Sequence, residues 1–526
     1  MTPSRTTRRK PTAVVAWVGA GPGDVGAMTL RGAELLRAAE VVVADPALAQ
    51  PFRDSLGLDA ELVAAEATPA AVGRQVVATV RSGRGVVRLT VGDPFLEGAA
   101  PAETEACSRA GIPFEVVPAV SSLLGAAVYA GVPMLAPRLG TDVLVLPRPE
   151  DQGTDWAGVA GGRRTVVFPS SVPAVGKLAA RLLECGRAGD TPVAMIWGAG
   201  GPEHVTVVCT LETLDEDAAA VGRVDSATVV VGEVVRLRNR LSWFESRPLF
   251  GWRVLVPRTK EQAGDLVDRL RRYGAVPVEV PTIAVEPPRT PAPMERAVRG
   301  LVSGRYQWAA FTSANAVGAV AERFRAVGLD ARAFAGVKVA AVGEATAGAL
   351  VEFGIRPDLV PSGEQSSEGL LADWPPYDDL LDPIDRVFLP RADIATETLV
   401  AGLKERGWTV DDVTAYRTVR AAPPPVETRE AIKAGGFDAA VFTSSSTVRN
   451  LIGIAGKPHA GTVIAVIGPQ TARTATELGL KVDVQAGSPS AEALVEALAD
   501  YAADRRGAGE TARPSALAAA KGKKPR

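Results

Sequence analysis

Histidine and cysteine are scarce in this chain: His204 and His459, and Cys107, Cys185 and Cys209, are all that 526 residues contain. The cysteines show no paired spacing, which excludes a disulfide framework and a cysteine-built zinc site. Two distant histidines argue against histidine metal or triad chemistry, so no metal is expected. Charge of one sign is also missing. Lys and Arg total 58 against 60 Asp and Glu, a net charge of −2, which gives no basis for general binding of nucleic acid or anionic membrane. No uninterrupted apolar run is present. The longest candidate, Val116 to Leu135, is broken by Pro118 and Pro133 and carries Ser121 and Ser122, as in a buried strand–helix unit rather than a membrane span. Met1 to Lys10 is polar and basic without an apolar centre and reads as no secretory signal. A cytoplasmic protein without membrane or nucleic-acid partners is the expectation.

What is present is a long internal repeat. Arg253-Val254-Leu255-Val256-Pro257-Arg258-Thr259 returns as Arg386-Val387-Phe388-Leu389-Pro390-Arg391-Ala392. Phe311-Thr312-Ser313-Ala314-Asn315 returns as Phe442-Thr443-Ser444-Ser445-Ser446, and Val342-Gly343-Glu344-Ala345-Thr346 as Ile467-Gly468-Pro469-Gln470-Thr471. The offset of about 130 residues is domain-sized, far above the ~20–50 of solenoids. Two similar α/β domains are implied, and such pairs commonly hold a ligand in the cleft between them. The full length suggests three or four cores at ~150 residues each.

β-branched runs alternate with Ala- and Leu-rich amphipathic stretches, the pattern of parallel sheets covered by helices. In the first half the runs are Val14–Val18, Val41–Val43, Val86–Leu89, Phe114–Val117, Val143–Leu146, Thr165–Phe168, Val193–Ile196 and Thr228–Val231. In the second they are Val254–Val256, Trp308–Phe311, Val337–Val342, Val387–Leu389, Ala439–Phe442 and Val463–Ile467, each leading into a helix. Composition marks 1–12 and 506–526 as disordered. The boundaries expected between them are 13–243 for a first domain and 244–251 for a connector. Prolines at 281, 287, 288 and 291 and at 423–425 mark crossings. They make the next domain discontinuous, 252–284 with 419–505, around a last one of 285–418, with a two-stranded hinge.

Gly19-Ala20-Gly21-Pro22-Gly23-Asp24 follows the first strand; Arg88-Leu89-Thr90-Val91-Gly92-Asp93-Pro94-Phe95 and Val116-Val117-Pro118-Ala119-Val120-Ser121-Ser122 are further strand-to-turn units. Gly-x-Gly alone is a weak nucleotide signal, and Pro22 departs from the dinucleotide fingerprint. The ordered set, closed by Val230-Val231-Gly232-Glu233-Val234-Val235-Arg236-Leu237, resembles the tetrapyrrole methylases, particularly uroporphyrinogen-III C-methyltransferase, over residues 13–243. The resemblance implies a two-subdomain α/β fold, dimerisation through this region, and S-adenosylmethionine held by Pro22, Val91, Gly92, Asp93, Leu96, Ser121, Ser122 and Ala199. Asp45 matches the family's catalytic aspartate. Several positions depart from the family pattern. A paired glycine has become Val91, Pro-Gly-Val has become Pro118-Ala119-Val120, Tyr-Met has become Pro169-Ser170, and Glu61 to Thr68 contains no lysine where the family has a catalytic one. A side chain where backbone must approach the cofactor weakens binding, so weak or absent cofactor binding is expected.

Residues 252–505 resemble uroporphyrinogen-III synthase, on the repeated motifs above together with Pro281-Thr282-Ile283 and Tyr416-Arg417-Thr418. The resemblance implies two hinged flavodoxin-like α/β domains that close hydroxymethylbilane to uroporphyrinogen III, inverting ring D with loss of water and using no cofactor. The substrate bears eight carboxylates. Hydroxyl-bearing turns that open helices offer free N–H groups and positive dipole ends to such anions. Ser313, Asn315 and Thr346 would serve in one domain and Ser444, Ser445 and Thr471 in the other, although a Ser or Thr at a helix start also acts as a plain cap. Arg258 and Arg391 end equivalent strands and are candidate carboxylate partners. Tyr416 matches the family's candidate acid and would hydrogen-bond or protonate the departing hydroxyl. Two other readings are open: a bifunctional enzyme that also methylates the product at C2 and C7, and a non-enzymatic tetrapyrrole sensor.

Overall fold

A computed structural model describes residues 15–146, 154–161, 163–223, 225–257 and 260–507, with backbone alone for 260–263. Of the disordered ends expected at 1–12 and 506–526, Arg506 and Gly507 instead finish the helix Ala491–Gly507, and the rest lies outside the described residues, as does Arg258. Four five-stranded sheets organise what is described, and they fall into two compact units, one on the first two sheets and one on the last two.

The first sheet comprises β1 (Val15–Gly19), β2 (Val41–Ala44), β3 (Glu61–Ala64), β4 (Val86–Thr90) and β5 (Glu115–Val117), ordered β3-β2-β4-β1-β5. All its ladders are parallel. Strands covered on both faces read as near-continuous apolar runs, and Val41–Ala44 is buried throughout. Trp17 is fully buried with its indole N–H on Glu103 Oε2 at 2.8 Å, and Arg88 reaches the same carboxylate at 3.1 Å. A buried carboxylate persists because these donors satisfy it.

The second sheet comprises β6 (Asp142–Val145), β7 (Arg164–Ser171), β8 (Pro192–Trp197), β9 (Val205–Thr210) and β10 (Ser226–Val231), ordered β6-β7-β10-β8-β9. It departs from the all-parallel expectation: only β6 and β7 run together, while β7–β10, β10–β8 and β8–β9 are antiparallel. The Gly198-Ala199-Gly200-Gly201 stretch turns β8 straight into β9, with Gly198 and Gly200 at positive φ. No crossover helix separates those strands, and a parallel pair requires one. The expected connector packs on this first unit. Phe244 lies against Tyr129, His204 and Phe250 at ring distances of 5.0, 5.1 and 5.7 Å.

In the second unit the strands are β11 (Arg253–Val256), β12 (Val276–Glu279), β13 (Ile283–Glu286), β14 (Trp308–Phe311), β15 (Lys338–Ala341), β16 (Arg386–Ala392), β17 (Thr409–Arg420), β18 (Ala439–Phe442), β19 (Val463–Val466) and β20 (Val484–Gln485). One sheet is ordered β12-β11-β18-β19-β20 and the other β13-β17-β16-β14-β15. The chain passes between them at Pro281 and Thr282. It returns after Arg420, which pairs with Ile283 across the antiparallel β13–β17 ladder. Buried Thr282 fastens this crossing: its hydroxyl donates to the Pro257 carbonyl at 3.5 Å and its own carbonyl accepts the Ala421 N–H at 3.3 Å. Each sheet has its own core, with Phe311, Phe324 and Phe388 in one and Phe442, Leu451 and Val466 in the other, all at most 1 % exposed.

Candidate functional site

Hydroxyl side chains gather where strands of the second unit end and helices begin. Ser313 follows β14 and caps the helix Ala314–Ala326, accepting the Ala316 N–H at 3.2 Å. Ser444 repeats this after β18, accepting the Thr447 N–H at 3.3 Å at the start of the helix Ser445–Ala455. Both serines therefore cap helices, as their residue type allows. Ser313 does something more: its Oγ lies 3.0 Å from the Tyr416 hydroxyl. The two residues are 103 apart in the chain, and a backbone irregularity brings them together. Opposite Arg391 and Ala392 the β16–β17 register slips, so that Arg391 pairs with Thr414 but Ala392 with Tyr416. The extra residue breaks the two-residue alternation, Ala415 and Tyr416 are both buried, and the phenol turns toward Ser313. Bulges re-aim side chains in this way beside functional sites.

Thr346 and Thr471 occupy matching buried places in the first turns of Glu344–Phe353 and Pro469–Glu477, each behind a glycine in extended backbone, Gly343 and Gly468. Asn315 is half-buried one residue inside its helix. Ser445 donates to the Gln470 carbonyl at 3.2 Å and accepts from Thr474 at 2.9 Å, which joins the starts of the two helices. Thr474 was not singled out in the sequence; its register one turn after Thr471 is the signal that would have found it.

Arg391 differs from expectation. It is 6 % exposed, and its guanidinium is taken up internally by Asp412 at 2.6 Å, Glu397 at 2.8 Å and the Thr396 carbonyl. The hydrogen bond with Asp412 is the chief reason its pKa is raised further. A substrate carboxylate would have to displace carboxylates already in place, so Arg391 serves to hold β16 to β17 beside the bulge.

In the first unit the candidate cofactor residues converge. Gly21 and Gly92 form an isolated antiparallel bridge, Gly92 N–H to Gly21 O at 3.0 Å, with both glycines at positive φ. Pro22 lies over Gly125 in the helix Ser122–Tyr129, and Gly200, beside Ala199, abuts Tyr129 and Asp24. Tyr129 donates to Asp24 at 2.6 Å. Burial first, then this bond, pushes the phenol pKa up, out of the ordinary tyrosine range. Asp93 closes its own turn by accepting from Phe95 at 2.9 Å, Leu96 at 3.1 Å and Ala119 at 2.9 Å. The Ala119 methyl lies against Gly19, where any added Cβ would collide with it, whereas Val91 points outward and is 52 % exposed. Asp45 is exposed and caps the helix Pro46–Leu56 through the Ala47 N–H at 2.8 Å. One residue here escaped the sequence reading altogether. Glu97 accepts from Asp93 N–H at 2.9 Å, Ser122 N–H at 3.0 Å, Leu123 N–H at 3.2 Å and the Ser121 hydroxyl. Its position four residues after Asp93 in the same loop was the available signal.

Known proteins match both units. Residues 14–215 match the tetrapyrrole (corrin/porphyrin) methylases and residues 264–496 match uroporphyrinogen-III synthase HemD. Together these define a class of chains in tetrapyrrole biosynthesis that join a methylase-like part to a synthase. The porphyrin biosynthesis protein HemD of Ruminiclostridium josui is 30% identical over 482 residues, spanning 89% of this chain and 94% of that protein, and the chain belongs to this HemD family. Siroheme synthase 1 of Serratia proteamaculans is 35% identical over 244 residues, covering 44% of this chain; the chain spans 51% of that relative's length. A solved uroporphyrin-III C-methyltransferase of Thermus thermophilus is 32% identical, covering 44% of this chain and 96% of that one, with a TM-score of 0.36.

Proposed function

We propose that the chain is a uroporphyrinogen-III synthase whose second unit closes hydroxymethylbilane, inverts ring D and releases water, with Tyr416 as the acid. The Ser313–Tyr416 pair carries this reading. A serine whose O–H donates to the phenol oxygen leaves the phenol proton free to point at a substrate. The hydroxymethyl C–O bond breaks as its oxygen takes that proton and departs as water. The cationic carbon left behind bonds to the ring D carbon that already carries the bridge. The older bridge bond breaks to release a second cationic carbon, and this one bonds to the other α-carbon of ring D, whose proton returns to the Tyr416 oxygen. Ser313 steadies the phenolate between the two transfers.

The eight carboxylates of the substrate need donors rather than more cations. Backbone N–H groups at the starts of the helices after Ser313, Gly343, Ser444 and Gly468 are of the right kind, with Thr346 and Thr471 beside them. Holding the bilane folded back on itself favours closure over diffusion of the cation. The full-length protein supplied with hydroxymethylbilane should yield the type III isomer without added metal or cofactor, read by chromatography of the oxidised products. Recovery of only the type I isomer, which forms spontaneously, would overturn the assignment. For the first unit, S-adenosylmethionine is the cofactor class its methylase kinship suggests, and a tetrapyrrole the substrate class.

A further inference from the structure

The candidate cofactor site of the first unit already holds a carboxylate, and that carboxylate belongs to the protein. Glu97 takes the first free N–H groups of the helix Ser122–Tyr129, the hydroxyl of its capping Ser121, and the Asp93 N–H of the facing turn. Three of these four donors belong to residues expected to bind S-adenosylmethionine. We propose that Glu97 is a built-in occupant of the place where the amino-acid end of the cofactor would put its carboxylate, so that the unit is closed to S-adenosylmethionine by its own side chain. The inference rests on the reading that residues 13–243 carry an S-adenosylmethionine site.

Three observations support it. A Cβ at Gly92 would collide with Glu97 Oε2, so the glycine that the family resemblance assigns to the cofactor here makes room for the glutamate. The donors at a helix start bind one carboxylate well, and a tethered carboxylate competes at an effective concentration of order mM. Asp93 lies in the same turn with both its oxygens engaged, so a cofactor carboxylate would enter beside two like charges.

Calorimetric titration of the full chain tests this with two probes, S-adenosylhomocysteine, which has the amino-acid end, and 5′-methylthioadenosine, which lacks it. Glu97→Ala should bind S-adenosylhomocysteine at least ~10-fold more tightly than the parent, a difference of ~1.4 kcal/mol. Glu97→Gln, which keeps one acceptor oxygen in the cradle and secures the test if the alanine variant folds poorly, should fall between them. Methylthioadenosine should bind parent and variants alike. Micromolar binding of S-adenosylhomocysteine to the parent, or no gain in either folded variant, overturns the proposal. In the second case methylthioadenosine separates the causes: if it binds, the site exists and Glu97 does not close it. If it binds nowhere, the underlying reading of the first unit fails as well.

Discussion

At the scale of single residues the proposed chemistry rests on one pair, Ser313 and Tyr416. Tyr416→Phe removes the phenol hydroxyl, and with it both the proton donor and the hydrogen bond to Ser313, so turnover should fall by roughly 100-fold, the lower end of what a general acid contributes, while circular dichroism stays that of the parent. Ser313→Ala separates two roles. Losing the cap should cost about 1 kcal/mol of stability in denaturant titration, and losing the partner of Tyr416 should lower kcat more than it changes KM. Ser313→Thr keeps both hydrogen-bonding functions and should restore much of each. Tyr416 and Ser313 were legible in the sequence because each sits in a repeated or family-like motif. Arg391 was legible as a residue but not as a role: its partner Asp412 lies on the neighbouring strand, and strand pairing between β16 and β17 is not written in either segment alone. Glu97 was missed because its one local mark, a place four residues after Asp93, does not reveal its partners. Its meaning comes from donors 24 to 26 residues further along.

At the scale of elements, the strands with continuous apolar runs were readable, and the irregular ones were not. Trp308–Phe311 and Ala439–Phe442 stand where their β-branched and aromatic runs place them. The twelve-residue β17 was overlooked because Asp411, Asp412 and Arg417 interrupt its pattern; their charges are met across the sheet, Arg417 by Glu286 at 2.6 Å and Asp411 by Tyr306 at 2.8 Å. The segment around Glu245 also gained its meaning only in three dimensions. Burial alone would raise the Glu245 pKa, but hydrogen bonds from His204, Arg238 and Thr206 outweigh it and lower it to about 2. A carboxyl depressed in the folded state contributes stability above its ordinary value of 4.5 that is lost as pH falls toward about 2. Thermal melts across that window should therefore show a steeper acid loss for the parent than for Glu245→Gln. Convergent slopes would show that the ion pair adds nothing to folding.

At the scale of the molecule, four sheets follow one chain, but they do not complete in chain order. The N–H of Arg253 donates to Asp438 at 2.8 Å across 185 residues, tying β11 to a partner strand that comes after the whole of β13 to β17. During synthesis, Val254–Val256 must therefore leave the ribosome long before β18 exists, whereas every strand between Ile283 and Arg420 finds its neighbours within its own stretch. Distant pairing is slow because the loop must close first, and domains tend to fold as units while the chain emerges. Nascent chains stalled near residue ~465, with β17 outside the ribosome and β18 still within its exit tunnel, should thus yield a protease-resistant core from the β13–β17 sheet while the apolar β11 is still cleaved. Equal susceptibility of both would refute that order. The enclosed sheet would then be the template on which its interrupted neighbour is later assembled, and the exposed wait of β11 is the interval in which this protein is most open to capture by a chaperone.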